Sequence, residues 1–504
     1  MTVTLKKRIA QPLVSFIAGA VLVAAFAPLE WAILAFISVA ILFYLCRDAN
    51  QKQAFWLGLA FGYGQFGVGV SWVYVSMHTY GGMPFWMGAI AVLLFAGILA
   101  LFTGLACYVT ARLFRFNQSH RIFAFAGFWV LAEWFRSWIF TGFAWLEVGV
   151  SQTPTWLFGL APIGGVYLVS FSVVIVASCL VVLATHKNKL MPSIVVVAII
   201  VAIIGSSWLS NQYEWSQDVG EPLNVGIVQA NVPINEKWQP QYRDRVVGRL
   251  MAMSQELQQQ QAQSPLELIV WPETALPLYY QQTDELFWSS LVATDTALLT
   301  GLVDQLEANQ VYNAAILSCA GEQKVYRKRH LVPFGEYLPM RFMLNWLLDF
   351  LQLPMSDFSS WDKPQTLQCG DKINLGLSIC YEDAFANESR SNVGNATVLV
   401  NISEDAWFGD SLAPHQRLQM GQMRARELSR PMVRSANSGP SAFISHYGEV
   451  LASTPQFEPA TLSFQVQPQT GDTLYKLYGN WIIWLIILLL VIGGILSART
   501  HKIS

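Results

Sequence analysis

The chain has 504 residues, of which 53% are hydrophobic, 13% aromatic and only 13% charged, with a formal net charge of -2. A mean hydropathy of +0.38 is too high for an ordinary soluble protein, so membrane segments are expected. The charge is near neutral and no basic domain stands out, which argues against a nucleic-acid partner.

Residues 1–210 carry seven apolar stretches of about the length that crosses a bilayer. They lie near Leu13–Ala27, Trp31–Cys46, Ala54–Met77, Phe85–Val109, Ile122–Phe140, Val166–Ala184 and Met191–Leu209, and an eighth, Trp481–Leu496, falls in a C-terminal arm over 470–504. The first two are short and close together and read equally as a tight hairpin. Lys6, Lys7 and Arg8 precede the first as they would a signal peptide, but more spans follow at once, so it reads as an uncleaved anchor. Cations recur in alternate connections, at Arg47 and Lys52, at Arg112, Arg115 and Arg121, at Lys187 and Lys189, and at Arg499 and Lys502. The connections between, Pro28–Glu30, His78–Pro84 and Thr141–Pro154, contain no Lys or Arg. The positive-inside rule then sets both termini in the cytoplasm and the long segment between spans seven and eight outside. Glu133 and Arg136, three apart on one helix face, read as a structural ion pair.

Residues 221–469 have a different texture. Short apolar runs at Leu223–Val228, Leu266–Val270, Ala297–Leu302, Val311–Leu317, Ile373–Ile379, Val398–Ile402 and Ser441–Ile444 alternate with polar stretches, the clearest helices being Gln239–Gln263 and His415–Leu428. About 250 residues suffice for one α/β domain with a large core. Cys46, Cys107 and Cys179 fall in spans, while Cys319, Cys369 and Cys380 fall in this domain, without metal-type spacing. An outer compartment would permit a bridge between Cys319 and Cys369, and the sequence does not decide it.

The chemistry gathers at Asp371–Asp383. Ile373, Leu375, Leu377 and Ile379 alternate with Asn374, Gly376 and Ser378, the pattern of a strand with one face on a core, and the strand stops at Cys380. A thiol at a strand end is held rigidly yet open to a cleft, although free Cys is also a common buried hydrophobe. Glu273 ends the apolar run Leu268–Thr274, and Lys328 and Glu336 stand around a turn in Val325–Glu336. A thiol needs a base or cation to attack a carbonyl at neutral pH. Glu273 can take its proton if an apolar surround raises its pKa, Lys328 can stabilise thiolate and oxyanion, Glu336 can hold Lys328, and Glu382 can do similar work beside the thiol. Each has a plainer reading: Glu273 as a helix cap, Lys328 as part of a solvated basic face, Glu336 as an exposed turn residue.

Strand-end Glu273, Lys328 and Cys380 resemble the Glu-Lys-Cys triad of the nitrilase (carbon-nitrogen hydrolase) superfamily. More narrowly, the chain resembles the apolipoprotein N-acyltransferases, on Thr141–Leu146, Gln229–Pro233, Lys237-Trp238, Trp271–Thr274, Lys328 with His330–Glu336, Cys380–Glu382, and Asn401–Ser403 with Asp405–Gly409. Ala144 departs from an expected Pro and Glu404 from a commoner Asn. The resemblance implies about eight transmembrane helices as a bundle plus an α-β-β-α sandwich, in the inner membrane of a bacterium with the catalytic domain in the periplasm. It implies a two-step transfer: Cys380 takes an acyl chain from a phospholipid, typically phosphatidylethanolamine, and passes it to the α-amino group of a diacylglyceryl-cysteine at a lipoprotein N-terminus. It implies no cofactor and no metal. Trp238, Tyr381 and Trp407 enter the pocket wall by the resemblance only.

Two other functions compete. A membrane-anchored amidase would use the same triad on a small amide, and a transporter would use an outer binding domain. Lipid access separates the first from an acyltransferase. The segment Met340–Phe358, with Trp346 and Leu347 among its large apolar residues, is expected to form a mobile lid at the lipid surface, unless it packs against the domain's own core.

Overall fold

The computed structural model describes residues 2–114, 118–185, 190–292, 295–339 and 357–500. They fall into two compact units, Met1–His78 with Pro84–Glu214 and Leu474–Ser504, and Thr79–Met83 with Trp215–Thr473. Trp346 and Leu347 lie outside the described residues.

In the first unit, helices run Thr2–Leu22, Ile33–Cys46, Gln51–Gly69, Phe85–Leu113, Gln118–Arg136, Ala161–Thr185, Leu190–Gln212 and Trp481–Thr500. Among the described residues, only 3 stretches are long and apolar enough to cross a membrane: Phe85–Leu113, Trp156–Thr185 and Ile194–Gln212. Shorter apolar helices include Ile33–Cys46, whose 14 residues rise only about 21 Å. Gln51–Gly69 starts at a capping box, in which Asn50 Oδ1 accepts from Gln53 N at 3.0 Å and Gln53 Oε1 accepts from Asn50 N at 3.1 Å.

Three charged residues of this unit, Arg121, Glu133 and Arg136, hydrogen-bond to backbone groups. Arg121, expected in a connection, begins no loop but donates to Arg47 O at 2.5 Å and to Cys46 O, at the carbonyl end of Ile33–Cys46 where free acceptors need donors. Glu133 accepts from Trp129 Nε1 at 2.9 Å and Val148 N at 2.8 Å, while Arg136 donates to Phe143 O at 2.7 Å and Trp145 O at 2.5 Å. The expected ion-pair residues thus both grip the segment 143–148.

The strands of the second unit are β1 (Gln217–Asp218), β2 (Leu223–Gln229), β3 (Leu268–Val270), β4 (Ala297–Glu307), β5 (Gln310–Cys319), β6 (Glu322–Arg327), β7 (Thr366–Cys369), β8 (Ile373–Ile379), β9 (Val398–Ser403), β10 (Met432–Ala436), β11 (Ala442–Ile444), β12 (Val450–Ser453), β13 (Ala460–Val466) and β14 (Gln469–Thr470). Two six-stranded sheets have the orders β13-β2-β3-β4-β5-β6 and β12-β11-β10-β9-β8-β7. The centres, β2-β3-β4 and β8-β9-β10, are parallel, and antiparallel strands flank them. Helix Arg243–Gln260 packs on the first sheet, helices Ala386–Val393 and Leu412–Leu428 pack on the second, and the sheets pack on each other. Ser435 Oγ of β10 donates across to Val270 O of β3 at 3.2 Å. The layers are therefore helix, sheet, sheet, helix.

Sequence pattern explains the arrangement. Val246, Leu250 and Leu257 of the first helix recur at helical spacing and bury against Val228, Ile269, Leu298 and Ile316 of the first sheet. In β8 the alternating apolar residues are buried as expected, but Gly376 and Ser378 are buried as well. Both faces are covered because parallel strands lie between a helix layer and a second sheet. Strand β10 was illegible as a strand because Arg434 and Ser435 interrupt it, and both are buried. Cys319 at the end of β5 is bonded to Cys369 at the end of β7, which settles the pairing and leaves Cys380 a free thiol.

Candidate active site

Cys380 follows β8 directly and opens the turn Cys380–Ala384. Its φ is +52°, in the left-handed region, a conformation that costs a residue with a Cβ about 1–2 kcal/mol. Its carbonyl is pinned by Arg417 Nη2 at 2.5 Å and Asn401 Nδ2 at 3.3 Å. The sharp turn aims the side chain off the end of the strand instead of into either sheet face.

Glu273, Lys328 and Glu336 come together around a residue the sequence did not single out. Asn313 of β5 donates from Nδ2 to Glu273 Oε1 at 2.7 Å and to Glu336 Oε1 at 2.8 Å. Lys328 Nζ lies 2.9 Å from the Glu336 carboxylate and 3.7 Å from Glu273 Oε1. Glu336 is anchored in turn by Val332 N at 2.8 Å, and Glu273 Oε2 by Glu404 N at 2.8 Å. Strand β4 passes so close that a Cβ on Gly301 would stand 2.4 Å from Thr274 N and 2.7 Å from Glu273 Cα. Glycine there lets the Glu273 backbone be braced by a neighbouring strand.

Burial corrects several expectations. Lys328, which also read as a solvated basic residue, is fully buried, and Glu336 is 9% exposed. Burial pushes the Lys328 ammonium down, but the Glu336 and Glu273 carboxylates outweigh it and hold its pKa well above the ordinary lysine value. The immediate partners of the Glu273 carboxylate are N–H groups and an ammonium, not the apolar wall expected. Glu382 was expected to work as Glu336 does. It accepts from Ile379 N at 2.6 Å, Tyr326 OH at 2.8 Å, Arg329 N at 2.6 Å and His330 N at 3.1 Å. It ties the Cys380 turn to the backbone that follows Lys328. Burial, with Glu388 adding, raises its carboxyl to about 7.

Four charges act on the Cys380 thiol. Burial pushes it up to about 12 and Glu273 and Asp405 add to this, while Arg417 and Lys328 oppose it. At neutral pH the resting group is a thiol, and a thiolate forms only as a base removes the proton. Beside Glu273, Lys237 Nζ donates to Glu273 O at 3.0 Å and is ion-paired with Glu404, both side chains buried. The unexpected Glu404 thus has a partner, and burial raises its carboxyl against the pull of Lys237.

The aromatic residues divide. Trp238 is half exposed, and Trp407, at 37% exposure, meets Tyr80 edge-on at 6.1 Å. Tyr381 is buried against Phe385 and His330, which makes it a wall of the turn. Asn313 and Arg417 are what sequence reasoning missed. Asn313 left one trace, a lone amide inside the apolar run Val311–Leu317. Arg417 left none, since it stands in a helix that reads as polar.

The carbon-nitrogen hydrolase family model matches residues 224–475, which carry this fold. A second family model, the apolipoprotein N-acyltransferase N-terminal domain, matches residues 18–179. The chain is 38% identical over 475 residues to an apolipoprotein N-acyltransferase of Methylococcus capsulatus, covering 93% of this chain and 92% of the relative. It is 35% identical to those of Vibrio parahaemolyticus, over 94% of each chain, and of Pseudomonas putida, over 97% of each. The chain belongs to the apolipoprotein N-acyltransferase family.

Proposed function

We propose that the chain moves an acyl chain from a phospholipid, phosphatidylethanolamine being the expected donor, to the α-amino group of the N-terminal diacylglyceryl-cysteine of apolipoproteins. Glu273 takes the Cys380 proton as Sγ bonds to the ester carbonyl carbon. Lys328 Nζ meets the oxyanion. Collapse breaks the carbon–oxygen bond, the departing lysophospholipid oxygen receives the proton from Glu273, and a thioester remains. The amine then attacks the thioester and gives its proton to Glu273, the carbon–sulfur bond breaks, and Glu273 returns the proton to Sγ to restore the thiol. Glu336 and Asn313 hold Lys328 and Glu273 in place, and Trp238, Tyr381, Trp407, Trp346 and Leu347 shape the lipid approach.

Eight spans in 1–210 and 470–504 would anchor the catalytic part, 221–469, on the periplasmic side of the inner membrane, with both termini in the cytoplasm. Both substrates are held in a leaflet by acyl chains, so the site must work at that surface. The observation that carries the reading is a left-handed, strand-end thiol beside a buried Glu273–Asn313–Glu336–Lys328 network, in a chain of this family. Incubation with phospholipid carrying a labelled acyl chain should place hydroxylamine-sensitive label on the wild type and none on Cys380→Ala. Thioester label on the variant would overturn the assignment.

A further inference from the structure

We propose that Arg417 is a second cation on the nucleophile, stabilising the Cys380 thiolate, a task separate from that of Lys328 on the oxyanion. The proposal rests on reading Cys380 as the nucleophile.

Arg417 stands in the helix Leu412–Leu428, yet its side chain is only 1% exposed. Its Nη1 donates to Cys380 Sγ at 3.6 Å, an ordinary distance for nitrogen and sulfur, and also to Asp405 Oδ1 at 2.5 Å and to Ser403 Oγ. Its Nη2 donates to Cys380 O at 2.5 Å, to both Asp383 oxygens at 3.1 Å and to Asn401 Oδ1 at 3.5 Å. Arg434, equally buried, reaches Asp383 at 2.9 Å and Asp405 at 2.8 Å. Two guanidiniums therefore balance two carboxylates, and the pairing alone gives no reason for one N–H to face sulfur.

That contact changes character during the reaction. Facing a neutral thiol it is weak. When Glu273 takes the proton, negative charge moves onto Sγ, and the same N–H becomes a charge-assisted donor. An interaction that strengthens as the thiolate forms accelerates the step. No bond of Arg417 breaks; the proton passes from Sγ to Glu273. The charged groups that act on Sγ are Glu273, Lys328, Asp405 and Arg417, with Asp383 and Arg434 ion-paired around the last. Of the two cations, Arg417 opposes the upward push on the thiol more strongly than Lys328.

The test is the rate at which iodoacetamide alkylates Cys380, located by peptide mass mapping, in the full chain in detergent between pH 6 and 9. Below its pKa a thiol reacts through its thiolate fraction, and an adjacent cation is worth roughly one to three pKa units; a thiolate of higher pKa is also more nucleophilic, which offsets about half of the logarithmic loss, so Arg417→Gln should slow alkylation about threefold to fiftyfold. Arg417→Lys, which keeps the charge, should recover most of the rate. Arg417→Gln leaves Asp383 and Asp405 sharing Arg434, so the comparison is repeated in an Asp405→Asn background, where one carboxylate leaves with the cation. Unchanged rates on Arg417→Gln in either background, or equal losses with Lys and Gln, would overturn the role of Arg417 while leaving Cys380 the nucleophile. Thioester label on Cys380→Ala would overturn both.

Discussion

Glu336→Gln tests the buried charge balance most directly. Lys328 is fully buried, and its nearer carboxylate is Glu336 at 2.9 Å, with Glu273 at 3.7 Å. Coulomb attraction at 2.9 Å is about 6 kcal/mol at an effective dielectric constant of 20. The Gln amide returns part of this through its dipole, and breaking one partner of a buried pair typically costs about 3–5 kcal/mol. At roughly 2–4 °C per kcal/mol for a domain of this size, the catalytic domain should melt about 6–20 °C lower at pH 7. The pH dependence follows the same balance. In the wild type the folded Lys328 pKa lies above the unfolded value, so its contribution is constant below the unfolded pKa and is lost only as pH rises through the folded one. In Glu336→Gln, Glu273 at 3.7 Å remains as a carboxylate partner against burial, so the folded pKa falls toward the unfolded value and the contribution is smaller throughout the range below the unfolded pKa. Melting in detergent at pH 7 measures the deficit, and a melting point within a degree of wild type would refute the charge balance.

Asn313→Ala removes the amide that bridges Glu273 and Glu336. It should slow thioester formation by roughly a hundredfold and leave iodoacetamide labelling of Cys380 intact, which single-turnover acylation beside alkylation would check. Lys237→Met and Glu404→Gln should each destabilise the domain by about 3 kcal/mol or more, by leaving a buried charge unpaired, whereas the double variant should recover much of the loss. Urea unfolding of the cycle tests this, and additive losses would mean the pair is not coupled.

The parts of the site that could be read in the sequence are those carried by local pattern. Period-two alternation located β8, and the abrupt change from Ile379 to Cys380-Tyr381-Glu382 marked a strand end. Glu273 was legible for the same reason, a carboxylate at the end of an apolar run, and Lys328 by its place with Glu336 around a turn. Asn313 and Arg417 act through space, across strands or from a helix, and their partners are twelve or more residues away in sequence. The helix Leu412–Leu428 misled because polar residues normally mark a solvated face, whereas here Gln416, Arg417, Gln419, Arg424, Arg426 and Glu427 are all buried. Glu382 was legible as a neighbour of the thiol that acts through positioning: its carboxylate accepts from backbone N–H groups and the Tyr326 hydroxyl and adds to the negative charge that keeps Lys328 protonated. The span count was read from apolar length and from the alternation of cations between connections, neither of which registers that a helix shielded by neighbours can be short.

The left-handed backbone at Cys380 has an evolutionary corollary. Glycine would occupy that position without steric conflict, and it would bring no sulfur into a crowd of buried charges. Stability alone therefore favours losing the side chain, and the nucleophilic role proposed for Cys380 would be the reason to keep it. A copy of this gene released from that demand would be expected to shed its thiol early and keep its sheets. A folded, inactive homologue with glycine at this turn is accordingly the form of decay that the backbone itself invites.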